Sequence, residues 1–379
     1  MSRPGAPNRD ERARRDMLYL SGADLIAAAA LRSGCDFFAG YPITPASSIL
    51  TSMLRDLPGA GGIGVQAEDE IAALSMCIAA AMAGRRVMTA TSGPGLSLMS
   101  ENIGLAQMAE VPLVVVNVQR MGPATGGATT NAEGDVQFAR WLSSGGYPLV
   151  VYAPSDGPST WRLTCKAFAT AEQLRTPVVL LTSKNLVMTS ETVDPAALEE
   201  IPIAPRRRGD EAWRPYAMGA AEDVPPFLVF GEDLTRLTTS IHDERGIITE
   251  SPAKAGAKLA HLIAKIQSRA DDLAEIDIYG AGGETAIVAY GSPARTARAA
   301  LSQLDASTRL IVLHTLSPLP EERLRAALHG VKRIVVPELN PGLLAPDLER
   351  LAPAAEVRRL NRLDGALISP LEILQAAAP

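Results

Sequence analysis

At 379 residues, with 47% hydrophobic and 21% charged side chains, the chain is too long for one compact core and too apolar for disorder. A formal charge of −6 and a pI near 5.4 give no general electrostatic ground for binding nucleic acid or an anionic membrane. The three widely spaced cysteines, Cys35, Cys77 and Cys165, match neither a disulfide framework nor a CxxC cluster motif, so the expected compartment is a reducing cytoplasm and no metal site is expected in this chain.

Residues Met1 to Asp16 mix arginines with acids and lack the apolar stretch of a signal peptide, which predicts a flexible arm. From Leu18 the pattern alternates helical stretches with short β-branched or aromatic runs, the mark of a layered α/β domain around a doubly wound parallel sheet. Gly22–Arg32 reads as a helix, Cys35–Ala39 as a strand, Pro45–Leu54 as a helix and Ile63–Gln66 as a strand. The run Glu70–Ala83 is alanine-rich and apolar nearly all round, which predicts a helix buried between layers. Val87–Thr91 is the next strand, and a helix follows to about Met108. Leu113–Val118 is so rich in β-branched residues that a central strand covered on both faces is expected. A strand at Leu149–Tyr152, a helix around Ser159–Glu172 and a strand at Val178–Thr182 complete a first domain spanning 17–200.

The segment 201–285 divides into an irregular stretch rich in proline, arginine and glycine and one amphipathic bracing helix over Pro252–Ile276. The glycine-rich Gly280–Gly283 is expected to follow that helix as a hinge. From Ala286 the alternation restarts, with strands in AIVAYGS, TRLIVLHTL, KRIVVPEL and VRRLNRL, and predicts a smaller α/β domain over 286–379.

In open α/β sheets ligands gather outside the carboxyl ends of the strands, and four segments there carry chemistry. The turn Gly40-Tyr41-Pro42-Ile43-Thr44-Pro45 offers the Thr44 hydroxyl, either as a helix cap or to a ligand. Glu68, Asp69 and Glu70 open a helix, where acids either complement the dipole or present a carboxylate at a pocket rim. Thr91-Ser92-Gly93-Pro94-Gly95 makes a turn that admits a ligand close to the backbone, without Walker or GxGxxG spacing. The long loop from Gln119 to Thr130 brings Arg120, a fixed cation suited to a carboxylate or phosphate. His242, His261, His314 and His329 have no metal-ligand spacing, and structural roles are expected for them.

Taken in order, Gly40-Tyr41-Pro42-Ile43-Thr44-Pro45, Gln66-Ala67-Glu68-Asp69-Glu70-Ile71-Ala72-Ala73, Thr89-Ala90-Thr91-Ser92-Gly93-Pro94-Gly95, Val118-Gln119-Arg120-Met121-Gly122-Pro123 and, farther on, Leu316-Ser317-Pro318-Leu319-Pro320 and Pro337-Glu338-Leu339-Asn340-Pro341-Gly342 resemble the α subunits of 2-oxoacid:ferredoxin oxidoreductases, in particular the 2-oxoglutarate type. The resemblance implies a pyrimidine-binding thiamine diphosphate domain followed by a smaller domain like the C-terminal domain of transketolase. It implies that a β subunit supplies the Mg2+, the diphosphate site and a [4Fe-4S] cluster, and that ferredoxin, coenzyme A and a separate γ or δ chain are further partners.

By resemblance Glu68 is the catalytic acid that hydrogen-bonds the aminopyrimidine ring, with Glu70 the alternative. Tyr41, Pro42, Ile43, Ser92 and Gly93 are cofactor contacts, and Thr44 with Arg120 holds the substrate carboxylate. Where many relatives carry QRxGPSTGxPT, this chain has Ala124 for the serine and Ala128 for the proline, a departure that bears on substrate preference. Two other readings of the fold are a non-oxidative thiamine-dependent decarboxylase subunit and a non-catalytic binding subunit.

Overall fold

The computed structural model describes residues 17–198, 201–206, 214–232, 235–280, 282–304 and 307–378. The arm expected over 1–16 lies outside the described residues. A two-stranded ribbon pairs β1 (Leu18–Ser21) with β8 (Ser190–Val193). Helices α1 (Gly22–Arg32), α2 (Ser47–Asp56), α3 (Glu70–Met82), α4 (Gly93–Met108), α5 (Val136–Arg140), α6 (Gly157–Leu174) and α7 (Lys184–Met188) alternate with β2 (Phe37–Gly40), β3 (Ile63–Gln66), β4 (Val87–Thr91), β5 (Leu113–Gln119), β6 (Val150–Tyr152) and β7 (Pro177–Ser183).

These strands build a seven-stranded sheet in the order β12-β6-β7-β5-β4-β2-β3, parallel but for β12 (Thr315–Ser317) at one edge. β5 is its middle strand and is buried along its whole length, as its β-branched run leads one to expect. Alternation along β5 sends Leu113 and Val115 to the core under α3 and α4, and Val114, Val116 and Val118 to the core under α1 and α6.

The second sheet, β14-β13-β10-β11-β9, contains β9 (Ile276–Tyr279), β10 (Thr285–Ala289), β11 (Thr308–Leu313), β13 (Arg333–Glu338) and β14 (Glu356–Asn361). It is flanked by α10 (Gly291–Leu301), α11 (Glu321–Ala327), α12 (Ala345–Leu351) and α13 (Pro370–Ala377). One apolar core runs without a break from Val115 and Val179 of the first sheet to Val288, Ile311 and Val336 of the second.

Four expectations are corrected. The single bracing helix over Pro252–Ile276 is instead α8 (Pro252–Gln267), a break, the short α9 (Ala270–Leu273) and then β9, because Ile276-Asp277-Ile278-Tyr279 has the period of a strand and pairs antiparallel with β11. Gly280 therefore follows a strand rather than a helix. The run Thr308–Leu316 is two strands rather than one: β11 ends at Leu313, His314 turns the chain, and β12 crosses to the first sheet to pair with β6. Finally, α3 is buried on one side only. Ala73, Leu74, Cys77 and Ile78 face the sheet, whereas Ile71 and Met76 are 47% and 39% exposed.

α8 is held by a buried ionic knot. Glu110, fully buried and at φ 52°, accepts from Lys258 at 2.5 Å, His261 at 2.9 Å and Lys265 at 2.7 Å, while the Arg175 side chain donates to its carbonyl at 3.2 Å. Among the described residues no helix is long and apolar enough to cross a membrane.

Candidate active site

The strand order brings the four chemistry-bearing segments to one edge. β3, β2, β4 and β5 lie side by side and parallel, so Glu68, Tyr41–Thr44, Ser92 and Arg120 leave the sheet next to one another. The first two segments are laced together by Ala67 N–H donating to the Gly40 carbonyl at 2.9 Å.

The three acids that the sequence presents together are separated by the fold. Asp69 is the N-cap of α3 and accepts from Ala72 N–H at 2.7 Å. Glu70 turns inward, 4% exposed, against Thr91 and Gly95, where a methyl group on Gly95 would overlap the Thr91 hydroxyl and the Glu70 carboxylate. Only Glu68 of the three keeps an exposed carboxylate free of hydrogen bonds to the described residues.

Thr44 does not cap α2, whose N-cap is Ala46. Its side chain is exposed while its carbonyl accepts from Arg120 Nη1 at 2.5 Å, and Arg120 Nη2 donates to the Thr125 carbonyl at 3.1 Å. The guanidinium is thus brought to Thr44, spanning the end of β4, and it is 7% exposed with Nε buried and unbonded. Where the sequence offered a free fork, the structure shows one already seated on two backbone carbonyls. Two terminal N–H groups and the Nε–H remain uncommitted within the described residues.

Ser92 is the N-cap of α4 but makes no capping bond, and its hydroxyl is buried without a hydrogen-bond partner among the described residues. Tyr41 and Pro42 are exposed and Ile43 is half-buried.

A family model described as pyruvate flavodoxin/ferredoxin oxidoreductase, thiamine-diphosphate-binding, matches residues 28–261, and one for pyruvate:ferredoxin oxidoreductase core domain II matches residues 283–373. The chain belongs to the pyruvate flavodoxin/ferredoxin oxidoreductase family. Among relatives, the 2-oxoglutarate synthase subunit KorA of Methanocaldococcus jannaschii is 36% identical over 94% of this chain and 98% of its own. The 2-oxoacid:ferredoxin oxidoreductase 1 subunit alpha of Sulfurisphaera tokodaii is 30% identical over 88% of this chain and 56% of its own. The solved 2-oxoglutarate:ferredoxin oxidoreductase of Magnetococcus marinus, with 2-oxoglutarate, coenzyme A and succinyl-CoA bound, superposes with a TM-score of 0.90 at 30% identity, over 95% of this chain and 64% of that one.

As a member of this family the chain carries a thiamine-diphosphate-binding domain, and the sheet edge fits one side of that cofactor. An accessible carboxylate at Glu68 stands beside the apolar Tyr41–Ile43 turn, and the buried Ser92 hydroxyl is a polar group without a hydrogen-bond partner among the described residues.

The edge also holds residues whose roles the sequence did not disclose. Asn117 and Gln119 interrupt the apolar β5 at a spacing of two, and both serve Asp135: Asn117 Nδ2 donates to Asp135 Oδ2 at 2.8 Å, and Asp135 N–H donates to Gln119 Oε1 at 3.0 Å. The Asp135 carboxylate covers the N-terminus of α4, where a methyl group on Gly93 would stand 3.0 Å from Oδ2, and burial raises this carboxyl above its ordinary value against the Asn117 bond and the Arg120 charge. Polar residues at alternate positions in an otherwise apolar central strand were the available signal.

Proposed function

We propose that this chain is the α subunit of a 2-oxoacid:ferredoxin oxidoreductase that works on 2-oxoglutarate in the cytoplasm. The observation that carries the reading is the sorting of the three acids, which leaves Glu68 alone with an exposed carboxylate free of hydrogen bonds to the described residues, at the edge shared with Arg120. Thiamine diphosphate, when bound, supplies the nucleophile and the electron sink for removing carbon dioxide from a 2-oxoacid.

Glu68 accepts a hydrogen bond from the pyrimidine side of the cofactor and serves as its proton partner, with Tyr41, Pro42 and Ile43 beside it and Ser92 and Gly93 at the neighbouring strand end. Arg120, with the Thr44 hydroxyl, takes the substrate carboxylate through the N–H groups that the two carbonyls leave free.

The diphosphate, Mg2+ and a [4Fe-4S] cluster belong to a partner β subunit. The electrostatics favour this division: at the N-terminus of α4, where an anion could otherwise be held, the Asp135 carboxylate already stands. Ferredoxin receives the electrons and coenzyme A the acyl group, and any γ or δ chain joins as a separate partner.

Co-purification with a candidate β chain, followed by a 2-oxoacid panel with a low-potential dye, tests the proposal. Dye reduction that requires coenzyme A and is fastest with 2-oxoglutarate is expected. Carbon dioxide release without dye reduction would point to a decarboxylase instead, and neither activity from the assembled complex would overturn the catalytic reading.

A further inference from the structure

The loop that carries Arg120 leaves β5 and returns to α5 through Glu133-Gly134-Asp135, and the two acids of that return lie on helices from different halves of the chain. Asp135 covers the N-terminus of α4 in the first half. Glu133 sits on the N-terminus of α10 in the second: Glu133 Oε1 accepts from Ser292 N–H at 3.0 Å and from Ser292 Oγ at 2.5 Å. Gly291, at φ 58°, makes this approach possible, because any side chain there would overlap Glu133 Oε2.

The backbone of Glu133 is gripped as well. Its N–H donates to the Leu339 carbonyl at 2.9 Å, and its carbonyl accepts from Asn340 Nδ2 at 2.8 Å. Closer to the tip, Asn131 donates to the Gly365 carbonyl at 3.4 Å, and Gly365, at φ 83°, lies so tightly on Thr130 that a methyl group would overlap it. On the β5 side of these anchors the lobe Met121–Thr130 closes on itself through Met121 N–H to Thr130 O at 3.0 Å and Gly127 N–H to Met121 O at 3.0 Å.

We infer that Glu133 is a positioning residue: it latches the Arg120 loop to the second α/β unit, so that this unit sets where the substrate-gripping guanidinium stands. The chemistry fits a latch rather than a proton donor to substrate. Glu133 is fully buried, one oxygen is spent on Ser292, and the other is sealed against Gly291, with the buried Ser183 hydroxyl as a polar neighbour of the carboxyl. Burial raises its carboxyl above the ordinary range in spite of the two Ser292 bonds. A two-point grip on a helix N-terminus, reinforced by backbone bonds on both sides, holds the return of the loop in one register.

The effect on substrate affinity rests on the reading of Arg120 given above, whereas the effect on loop mobility does not. Hydrogen exchange of the Met121 and Gly127 amides is therefore measured on the purified chain, and the KM for 2-oxoglutarate on the assembled enzyme, for Glu133→Ala, Glu133→Gln and Ser292→Ala. The alanine variant at position 133 is expected to exchange faster in the loop and to raise KM by about 10- to 100-fold, the scale of a misplaced binding group, with kcat changed far less. Glu133→Gln keeps an acceptor for Ser292 and is expected to restore most of the protection. Ser292→Ala, which lies outside the loop, should show a smaller increase in the same two amides, and it serves as the decisive variant if Glu133→Ala does not fold. Unchanged loop exchange in Ser292→Ala and Glu133→Ala, with only a lower melting temperature, overturns the latch. Faster exchange with KM unchanged in both Glu133→Ala and Arg120→Ala upholds the latch and overturns the carboxylate role of Arg120.

Discussion

Among the described residues, Glu110→Gln removes the only carboxylate in contact with the buried Lys258, His261 and Lys265 side chains while keeping the side-chain shape. Burial alone would raise the Glu110 carboxyl, but Lys265 and Lys258 and the His261 bond hold it well below the usual range, so it is ionised at neutral pH. Breaking a buried ion pair by neutralising one partner costs about 3–5 kcal/mol, because the remaining charges stay buried without compensation. At about 2 °C per kcal/mol for a unit of this size, the melting temperature should fall by roughly 6–10 °C.

The pH dependence has a definite sign. A carboxyl lowered by folding contributes stability that is fully present above its unfolded pKa of about 4.3 and is lost as pH falls through the folded value. The variant should therefore lose stability at neutral pH and show a shallower acid limb than the parent. Replacing Glu110, Lys258 and Lys265 together by leucine and methionines should recover much of the loss, since a packed apolar set of similar volume avoids the desolvation cost. Thermal and urea unfolding between pH 3 and 8 measure both effects. A loss below about 1 kcal/mol at pH 7, or an unchanged acid limb, would show that solvent reaches the knot and refute the reasoning.

Glu68→Gln should lower kcat of the assembled enzyme by about 10² to 10⁴ with assembly intact, whereas Glu70→Gln should act chiefly on stability through its contacts with α4; the reverse pattern in kinetics and melting curves would exchange their roles. Arg120→Ala should raise KM for the oxoacid by about 10- to 150-fold, and Arg120→Lys should recover only part of it because an ammonium lacks the planar fork; a fall in melting temperature at constant KM would leave the arginine as a brace for Thr44 and Thr125 alone. Gly95→Ala should destabilise by about 1–3 kcal/mol through overlap with Thr91 and Glu70, as read from urea midpoints.

Periodicity and composition were sufficient for most individual elements. The β-branched run of β5 could only be a strand covered on both faces, and Ile63–Gln66 and Val87–Thr91 are strands of the structure with the bounds read from the sequence. These are local properties, set by which side chains a chain of given period can bury. The ordered motifs from Gly40 to Gly342 likewise carried the family, and with it the edge where Glu68, Thr44 and Arg120 were expected.

What failed were decisions that depend on partners distant in sequence. Ile276–Tyr279 lengthened an apparent helix until its pairing with β11 made it a strand, and Thr315–Ser317 belongs to the first sheet only because β6 offers it an edge. Glu68, Asp69 and Glu70 are equivalent as letters; their division into an exposed acid, a cap and a buried contact follows from how α3 meets α4 at Gly95. Arg120 read as a free cation because no sequence pattern predicts that the Thr44 and Thr125 carbonyls will converge on it. Glu133 and Asp135 passed unnoticed for the same reason: each acquires its role from a helix N-terminus that only the tertiary fold brings within reach.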